Sequence, residues 1–148
     1  MTQILRITFK MPNLNDWVGA MSTNRYKGGK MKKDNEHLVW LAIKSQKLKR
    51  VQNPVHISYE WHEANKRRDK DNVSAFGRKV INDALQTAGV LPNDNNVWVQ
   101  GITETWVYGE DYGCIVTITE IERSKNDDKR KIEKSAEIEC RDTPINGH

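Results

Sequence analysis

Residues 55–62 alternate strictly between apolar and polar side chains, and this pattern constrains the fold more than any other part of the chain. Because successive side chains of a β-strand point to opposite faces, it predicts a strand with one buried face and one polar face. A sheet built around such a strand is expected to pack helices against its apolar face. The apolar positions are Val55, Ile57, Tyr59 and Trp61.

An amphipathic helix is predicted over residues 72–88. Its apolar residues recur at intervals of three and four, which places them on one wide helical face. Gly89 follows at the position where a left-handed C-cap belongs. The apolar positions are Val73, Phe76, Val80, Ile81, Ala84, Leu85 and Ala88.

The remaining elements complete a mixed fold. A first strand is predicted over 4–9, followed by a polar loop and then by a helix over 34–50. Two β-rich runs, 97–108 and 114–121, are expected to pair as a hairpin. The order β-α-β-α-β-β predicts a mixed α/β (α+β) fold, with a small mixed sheet and two main helices against it. The inward stripe of the first helix is expected to be Leu38, Leu41, Ala42, Ser45 and Leu48.

The length of 148 residues fits one domain over 1–122 and a charged tail over 123–148, expected to be mobile with transient helix around 128–139. No apolar run approaches the length of a membrane span, and the first residues lack the pattern of a secretory signal. Cys114 and Cys140 match no metal-ligand spacing. We therefore expect a reduced, cytoplasmic protein that does not bind membranes.

The net charge of +4 conceals an asymmetry along the chain. Residues 1–50 carry 11 basic and 3 acidic residues (+8), whereas residues 51–122 carry 6 and 11 (−5). A basic third followed by an acidic middle indicates a polyanion-binding surface beside a carboxylate site. A basic cluster around Tyr26 is either a solvated loop or a set of phosphate contacts. Its members are Arg25, Lys27, Lys30, Lys32 and Lys33.

Three aspartates flank the second predicted helix. Asp69 and Asp71 precede it, and their spacing would point both side chains to the same side of an extended segment. Asp94 follows it on a turn. Carboxylates of this kind suit Mg²⁺ or Mn²⁺, which would activate water and neutralise charge on a phosphodiester. The alternative is structural, because Asp71 is also a good N-cap and the adjacent basic residues could equally be surface ion partners.

These motifs resemble those of the RusA family of Holliday junction resolvases. The resemblance covers residues 3–121 and is most specific over 67–94, in the run RRDKDN, the helix with Lys79 and Asp83-Ala84-Leu85, and the turn LPND. It implies a mixed α/β homodimer, without a nucleotide cofactor, that uses Mg²⁺ or Mn²⁺ to nick two strands symmetrically at a four-way DNA junction. The corresponding process is DNA recombination and repair in a bacterial or phage-infected cell.

The resemblance also implies roles for individual residues. The metal ligands would be Asp69, Asp71 and Asp94, although Asn93 stands where the family usually has a further acidic residue. Lys79 matches the family's catalytic helix lysine, which would stabilise charge on the phosphate or the leaving oxygen, or would simply hold a phosphate. Its spacing from Asp71 is eight residues instead of the four of shorter enzymes, and by helical angle Arg78 lies nearer to the face of Asp71. DNA contacts are expected from Arg25, Lys27, Lys30, Lys32, Lys33, Arg67 and Arg68.

Two questions remain open from the sequence. The first is function, because a branched-DNA-binding protein without catalysis, or a nuclease for flaps or forks, has the same motifs. The second is which chain supplies Asp94. A 17-residue helix spans roughly 25 Å, whereas the five steps from Gly89 to Asp94 reach at most about 18 Å. Asp94 is therefore expected to complete the site of a partner chain in a two-fold dimer.

Overall fold

The computed structural model describes residues 1–122, so the tail expected at 123–148 and its helical segment lie outside the described residues. The structure is a mixed α+β domain in which a four-stranded mixed sheet packs against three helices. The elements are β1 (Thr2–Ile7), α1 (Leu14–Thr23), α2 (Arg25–Ser45), β2 (Val55–Glu63), α3 (Lys70–Thr87), β3 (Val99–Tyr108) and β4 (Gly113–Glu120).

The sheet has the strand order β1-β4-β2-β3. β4 is antiparallel to both β1 and β2, whereas β3 is parallel to β2, with Glu63 opposite Tyr108 at the far end of the pair. The expected hairpin is therefore wrong, although both of its strands exist. α3 is the crossover that a parallel β2-β3 pair requires, and β2 consequently lies between the two strands that were expected to pair.

β2 confirms the alternation from which the strand was predicted. Its four apolar side chains are at most 2% exposed, and they pack with residues of α2 and α3 in one core. α3 approaches the sheet closely at Gly77, where an added Cβ would lie 2.6 Å from the ring of Trp61. The intervening polar residues of β2 lie on the opposite face and are partly exposed.

α3 also follows its predicted pattern. Its buried residues include Val73, Phe76 and Leu85, and Gly89 adopts a positive φ of 78° just after the helix. The helix begins earlier than expected, because Lys70 is already helical and Asp69, in the place predicted for Asp71, is the N-cap.

Helices α1 and α2 occupy the segment that was expected to be a polar loop up to residue 33. Capping residues mark both starts: Asn13 and Asp16 form a reciprocal capping box, and the side chain of Asn24 accepts from the backbone N–H of Tyr26. Hydrophobic periodicity misses these helices because α1 buries only Ala20, and α2 buries only Gly28 before residue 39.

The inward stripe expected for the first helix is also wrong in part. Leu38 and Leu41 are each 46% exposed, whereas Val39 and Ile43 are buried. The inward face differs because α2 packs against α1 and α3, and these contacts set which side of the helix faces the core.

Candidate functional site

The amino-terminal end of α3 holds two of the three aspartates. Asp69 has extended backbone angles (φ −68°, ψ 138°), while Asp71 lies in the first helical turn, so the two do not form an extended pair. Both side chains are exposed. Asp69 occupies the N-cap without making a side-chain capping bond. The sequence left open that one of these carboxylates caps the helix, and no such capping bond is present at Asp69.

Arg68, the residue immediately before Asp69, is held in place by contacts of its own side chain. Its Nε and Nη2 donate to the two carboxylate oxygens of Glu63, each at 2.8 Å, and its Nη1 donates to the carbonyl of Met11 at 2.7 Å. The side chains are only 14% (Arg68) and 4% (Glu63) exposed. A forked, nearly buried pair of this kind holds the chain rigidly. The Arg68 guanidinium thus donates to groups of the protein itself. Its expected contact with DNA stays a prediction.

The end of the sheet from which α3 begins carries cations over aromatic rings. Lys70 Nζ lies 5.8 Å from the ring centroid of Trp106, and Lys66 Nζ lies 5.2 Å from that of Tyr108. The rings hold these two ammonium groups near the start of α3 without neutralising them. Arg67 is exposed in the same segment. Positive charge is thus retained beside the two aspartates.

Within residues 1–122, the carboxylates of the three predicted metal ligands accept no hydrogen bond and form no ion pair. Of the 14 Asp and Glu residues in this range, eight accept a hydrogen bond or lie within ion-pair distance of a cation. Asp69, Asp71 and Asp94 have no such partner among the described residues, and they share this property with Glu110, Asp111 and Glu122. Uncommitted carboxylates with exposed oxygens are donors of the type that Mg²⁺ and Mn²⁺ take, so the donor set fits such an ion.

Asp94 lies at the opposite end of α3. The helix has 18 residues and is about 27 Å long. Residue 94 precedes Val99, which pairs with Val55 at the start of β2, whereas Asp69 follows the end of β2. Within residues 1–122, no three His, Cys, Asp or Glu side chains lie together as potential metal ligands. One chain therefore holds Asp69 and Asp71 at the start of α3 and Asp94 near the opposite end of that helix.

Lys79 is exposed on the outer face of α3. It is eight residues from Asp71, which corresponds to about 12 Å along the axis and about 80° around it. Arg78 faces the side of Asp71, but its Nε lies 2.9 Å from Glu104 Oε1 on β3. The assignment of a catalytic role to Lys79 stays a prediction.

The basic cluster predicted on a loop lies on the first three turns of α2. Lys32 is ion-paired with Glu36 and Asp83, and Lys30 with Asp34. Burial lowers the pKa of Lys32, but its hydrogen bonds to the two carboxylates outweigh burial and raise that pKa overall. The free cations of α2, as we call the members without an ion pair within 1–122, are Arg25, Lys27 and Lys33.

Two of the free cations, Arg25 and Lys27, occupy the first turn of α2, which holds no acidic residue. The helix macrodipole is positive at this end, so these charges raise the local electrostatic energy. A bound anion would relieve that cost, and DNA phosphate is such an anion.

A cleft of about 450 Å³ is lined by none of the residues that the sequence analysis named as candidate site residues. It is lined by residues of β1, β2 and β4, of the segment after β1 and of the β3-β4 connection. Its charged or ionisable lining residues are Arg6, Lys10, His62, Glu110 and Asp111. The sequence signal for this cleft is the charged connection 109–112. Only the sheet order, however, shows that this connection crosses the end of β2.

A scan of known protein-family models finds none that matches this chain, and a search of curated proteins finds no significant match. Membership of the RusA family therefore stays a prediction carried by the motifs. No helix within the described part of the chain is long and apolar enough to cross a membrane.

Proposed function

We propose that this protein is a metal-dependent, structure-specific endodeoxyribonuclease that resolves four-way DNA junctions by paired, symmetric nicks. It would act as a homodimer in recombination and repair in the bacterial cytoplasm. The observation that carries the proposal is the state of the three aspartates. They are exposed and have no ionic partner within 1–122, although Arg67, Arg68 and Lys70 adjoin two of them in sequence, and they occur in the motif order of the RusA family.

The proposal assigns separate tasks to the chain's own groups. Asp69 and Asp71 hold the ion, and Asp94 of the second chain completes its oxygen ligands. When bound by these aspartates, a divalent cation would supply Lewis acidity toward the scissile phosphodiester and would lower the pKa of an attacking water. Lys70 and Arg67 orient the phosphate beside the two aspartates. Arg68 does not touch DNA in this scheme; it positions Asp69 through Glu63.

The free cations of α2 extend the surface that contacts DNA. Their exposure permits contacts with backbone phosphates, which supply affinity without sequence preference. Tyr26 is 74% exposed among them and is available to stack on an unpaired base at the centre of a junction.

The test incubates a labelled four-way junction with the protein in Mg²⁺ or in EDTA. We expect symmetric nicks in Mg²⁺ only, and loss of cleavage but not of binding in Asp69→Asn, Asp71→Asn and Asp94→Asn. Asp34→Asn, which alters an exposed aspartate on α2, is the matched control and should cleave normally. Wild-type cleavage by any one of the three site variants would remove that residue from the site.

A second candidate is a branched-DNA-binding protein without catalysis. It is favoured by Asn93, which leaves the turn with one charge less than the family pattern, and by the separation of Asp94 from the other aspartates in one chain. It predicts junction binding with no nicks in either Mg²⁺ or Mn²⁺. Flap and fork substrates in parallel reactions distinguish a nuclease for other branched structures.

A further inference from the structure

The cleft at the end of β2 lies on the sheet face opposite the helices. Its lining includes Arg6, Ile115 and His62, each of which stands between two buried neighbours on its own strand. Because side chains alternate along a strand, these three point away from the core. They come from adjoining strands, since β4 lies between β1 and β2. The cleft is therefore a feature of the outer sheet surface and does not involve the helical layer.

The cleft carries charges of both signs that do not pair with each other. Arg6 and Lys10 come from β1 and the segment after it, whereas Glu110 and Asp111 come from the β3-β4 connection. All four residues are exposed, and none forms an ion pair with a described residue. Both sets of charges are thus free for a ligand. Such a ligand needs an anionic group for the cations and hydrogen-bond donors for the carboxylates.

Tyr112 connects this cleft with the segment that carries Asp69. The centroid of its ring lies 4.5 Å from Lys10 Nζ and 5.5 Å from Arg68 Cζ. Arg68 directly precedes Asp69, and it donates to the carbonyl of Met11, the residue after Lys10. The cleft and the start of α3 are therefore neighbouring parts of the surface, so a strand held at one of them passes close to the other.

We propose that this cleft binds one unpaired nucleotide of the DNA substrate. Its phosphate binds Arg6 and Lys10, and the amino group of its base donates to Glu110 and Asp111. The inference deepens the proposed function and rests on it, because it takes DNA to be the substrate at the neighbouring aspartates. It adds a DNA-contacting surface on the side of the sheet away from the free cations of α2.

The size of the cleft favours a single nucleotide over a duplex. A volume of about 450 Å³ is that of a small-molecule site, which is too small for a base pair with its two backbones. An unpaired base also exposes the edge that pairing would otherwise occupy. Branched DNA supplies such bases where its strands exchange, and an unpaired base costs least to unstack.

The two carboxylates give the cleft a preference among bases. Exocyclic amino groups of adenine, cytosine and guanine donate hydrogen bonds, which a carboxylate accepts. Thymine has no amino group, and a carboxylate repels its carbonyl oxygens. We therefore expect a base that bears an amino group to bind more tightly in the cleft than thymine does.

The first experiment tests the cations by fluorescence anisotropy in EDTA, over a series of salt concentrations. The probe is a labelled thymidine pentanucleotide with adenine as its central base. Arg6→Gln combined with Lys10→Gln should weaken binding about fivefold or more, and should flatten the salt slope by about 0.7 for each phosphate no longer neutralised. Lys49→Gln with Arg50→Gln removes two exposed cations outside the cleft and should change both quantities much less. An unchanged slope in the cleft variant, or equal losses in the two double variants, overturns the inference.

The second experiment tests the carboxylates. Hypoxanthine replaces the central adenine, which exchanges the amino group for a carbonyl oxygen on the same purine. The wild-type protein should bind the adenine strand about fivefold more tightly. Glu110→Gln combined with Asp111→Asn should lose this preference, because an amide both accepts and donates hydrogen bonds. The ratio of the two affinities is its own control, since a change in net charge affects both strands alike. A wild type without the preference, or a variant that keeps it, overturns the inference.

A free nucleotide offers the same chemistry without a strand. Deoxyadenosine monophosphate should compete at least about tenfold more weakly than the unlabelled pentanucleotide, because it lacks the neighbouring phosphates. Equal competition assigns the cleft to a free nucleotide and overturns the inference. None of these measurements uses a junction, a metal ion or cleavage. A protein that passes them and nicks no DNA refutes the proposed function alone, whereas a junction nuclease that fails them refutes this inference alone.

Discussion

Mixing two inactive variants offers a direct measurement of the shared site. Asp71→Asn protein is combined with Asp94→Asn protein and the subunits are allowed to exchange. The structure sets the expectation, because about 27 Å of α3 separates the two positions in one chain. If Asp94 acts across the dimer, a mixed dimer has one site with both lesions and one with neither.

The size of the recovery follows from subunit statistics. Random exchange makes about half of the dimers mixed, and each has one intact site, so about a quarter of wild-type sites return. Initial nicking rates on a labelled four-way junction should rise from background to about a quarter of the wild-type rate. The products should be single nicks, since no dimer has two intact sites.

The control is a mixture of Asp69→Asn and Asp71→Asn proteins. These residues come from the same chain in each site, so every site retains one lesion and the mixture should stay inactive. Exchange is confirmed with differently tagged subunits. Continued inactivity of the Asp71→Asn and Asp94→Asn mixture, with exchange shown, would refute the shared site.

Further substitutions test the buried ion pair, the close approach of α3 to the sheet, and the basic surface of α2. Arg68→Ala leaves the carboxylate of Glu63 buried and unpaired, and we expect urea unfolding to show a loss of about 3–5 kcal/mol, against less than about 0.5 kcal/mol for Arg67→Ala; equal losses would contradict the role of the buried pair. Gly77→Ala pushes a Cβ against Trp61 and should cost about 1–3 kcal/mol by the same measurement, so an unchanged midpoint would show that the ring moves aside freely. Replacing the free cations of α2 with Gln should weaken binding of all DNA sequences alike and flatten the salt dependence by about 0.9 for each phosphate that the protein no longer neutralises, whereas an unchanged slope would exclude phosphate contacts.

The predictable part of the fold is the part with strong periodicity. β2 and α3 were predictable because each buries one complete face, and Gly89 because a positive φ has a distinct residue preference. α1 and most of α2 bury too little to produce a period, so only their caps, Asn13 and Asn24, mark them. Sheet order was not predictable from adjacency, because a short connection after β3 carries the chain across the end of β2.

The candidate site was also predictable only in part from the sequence. Motif order located Asp69, Asp71 and Asp94, and the structure leaves all three exposed. Sequence spacing could not show that Arg68 faces inward or that Lys32 pairs with Asp83 from another helix. The contact of Arg68 with the carbonyl of Met11 and the pair of Lys32 with Asp83 depend on where distant elements meet, and the neighbouring sequence does not encode that position.

The pairing of Glu63 with Arg68 has a consequence for how sequences of this fold can change. Neither residue can be lost alone, because the survivor would be a buried, unpartnered charge. The two positions are therefore expected to be inherited as a unit, so that a homologue lacking one lacks the other and fills the space with apolar side chains. In such a homologue the segment before Asp69 would lose its tether to the end of β2 and to Met11. Evolution of the site's geometry is thus constrained by two residues that need not touch the substrate.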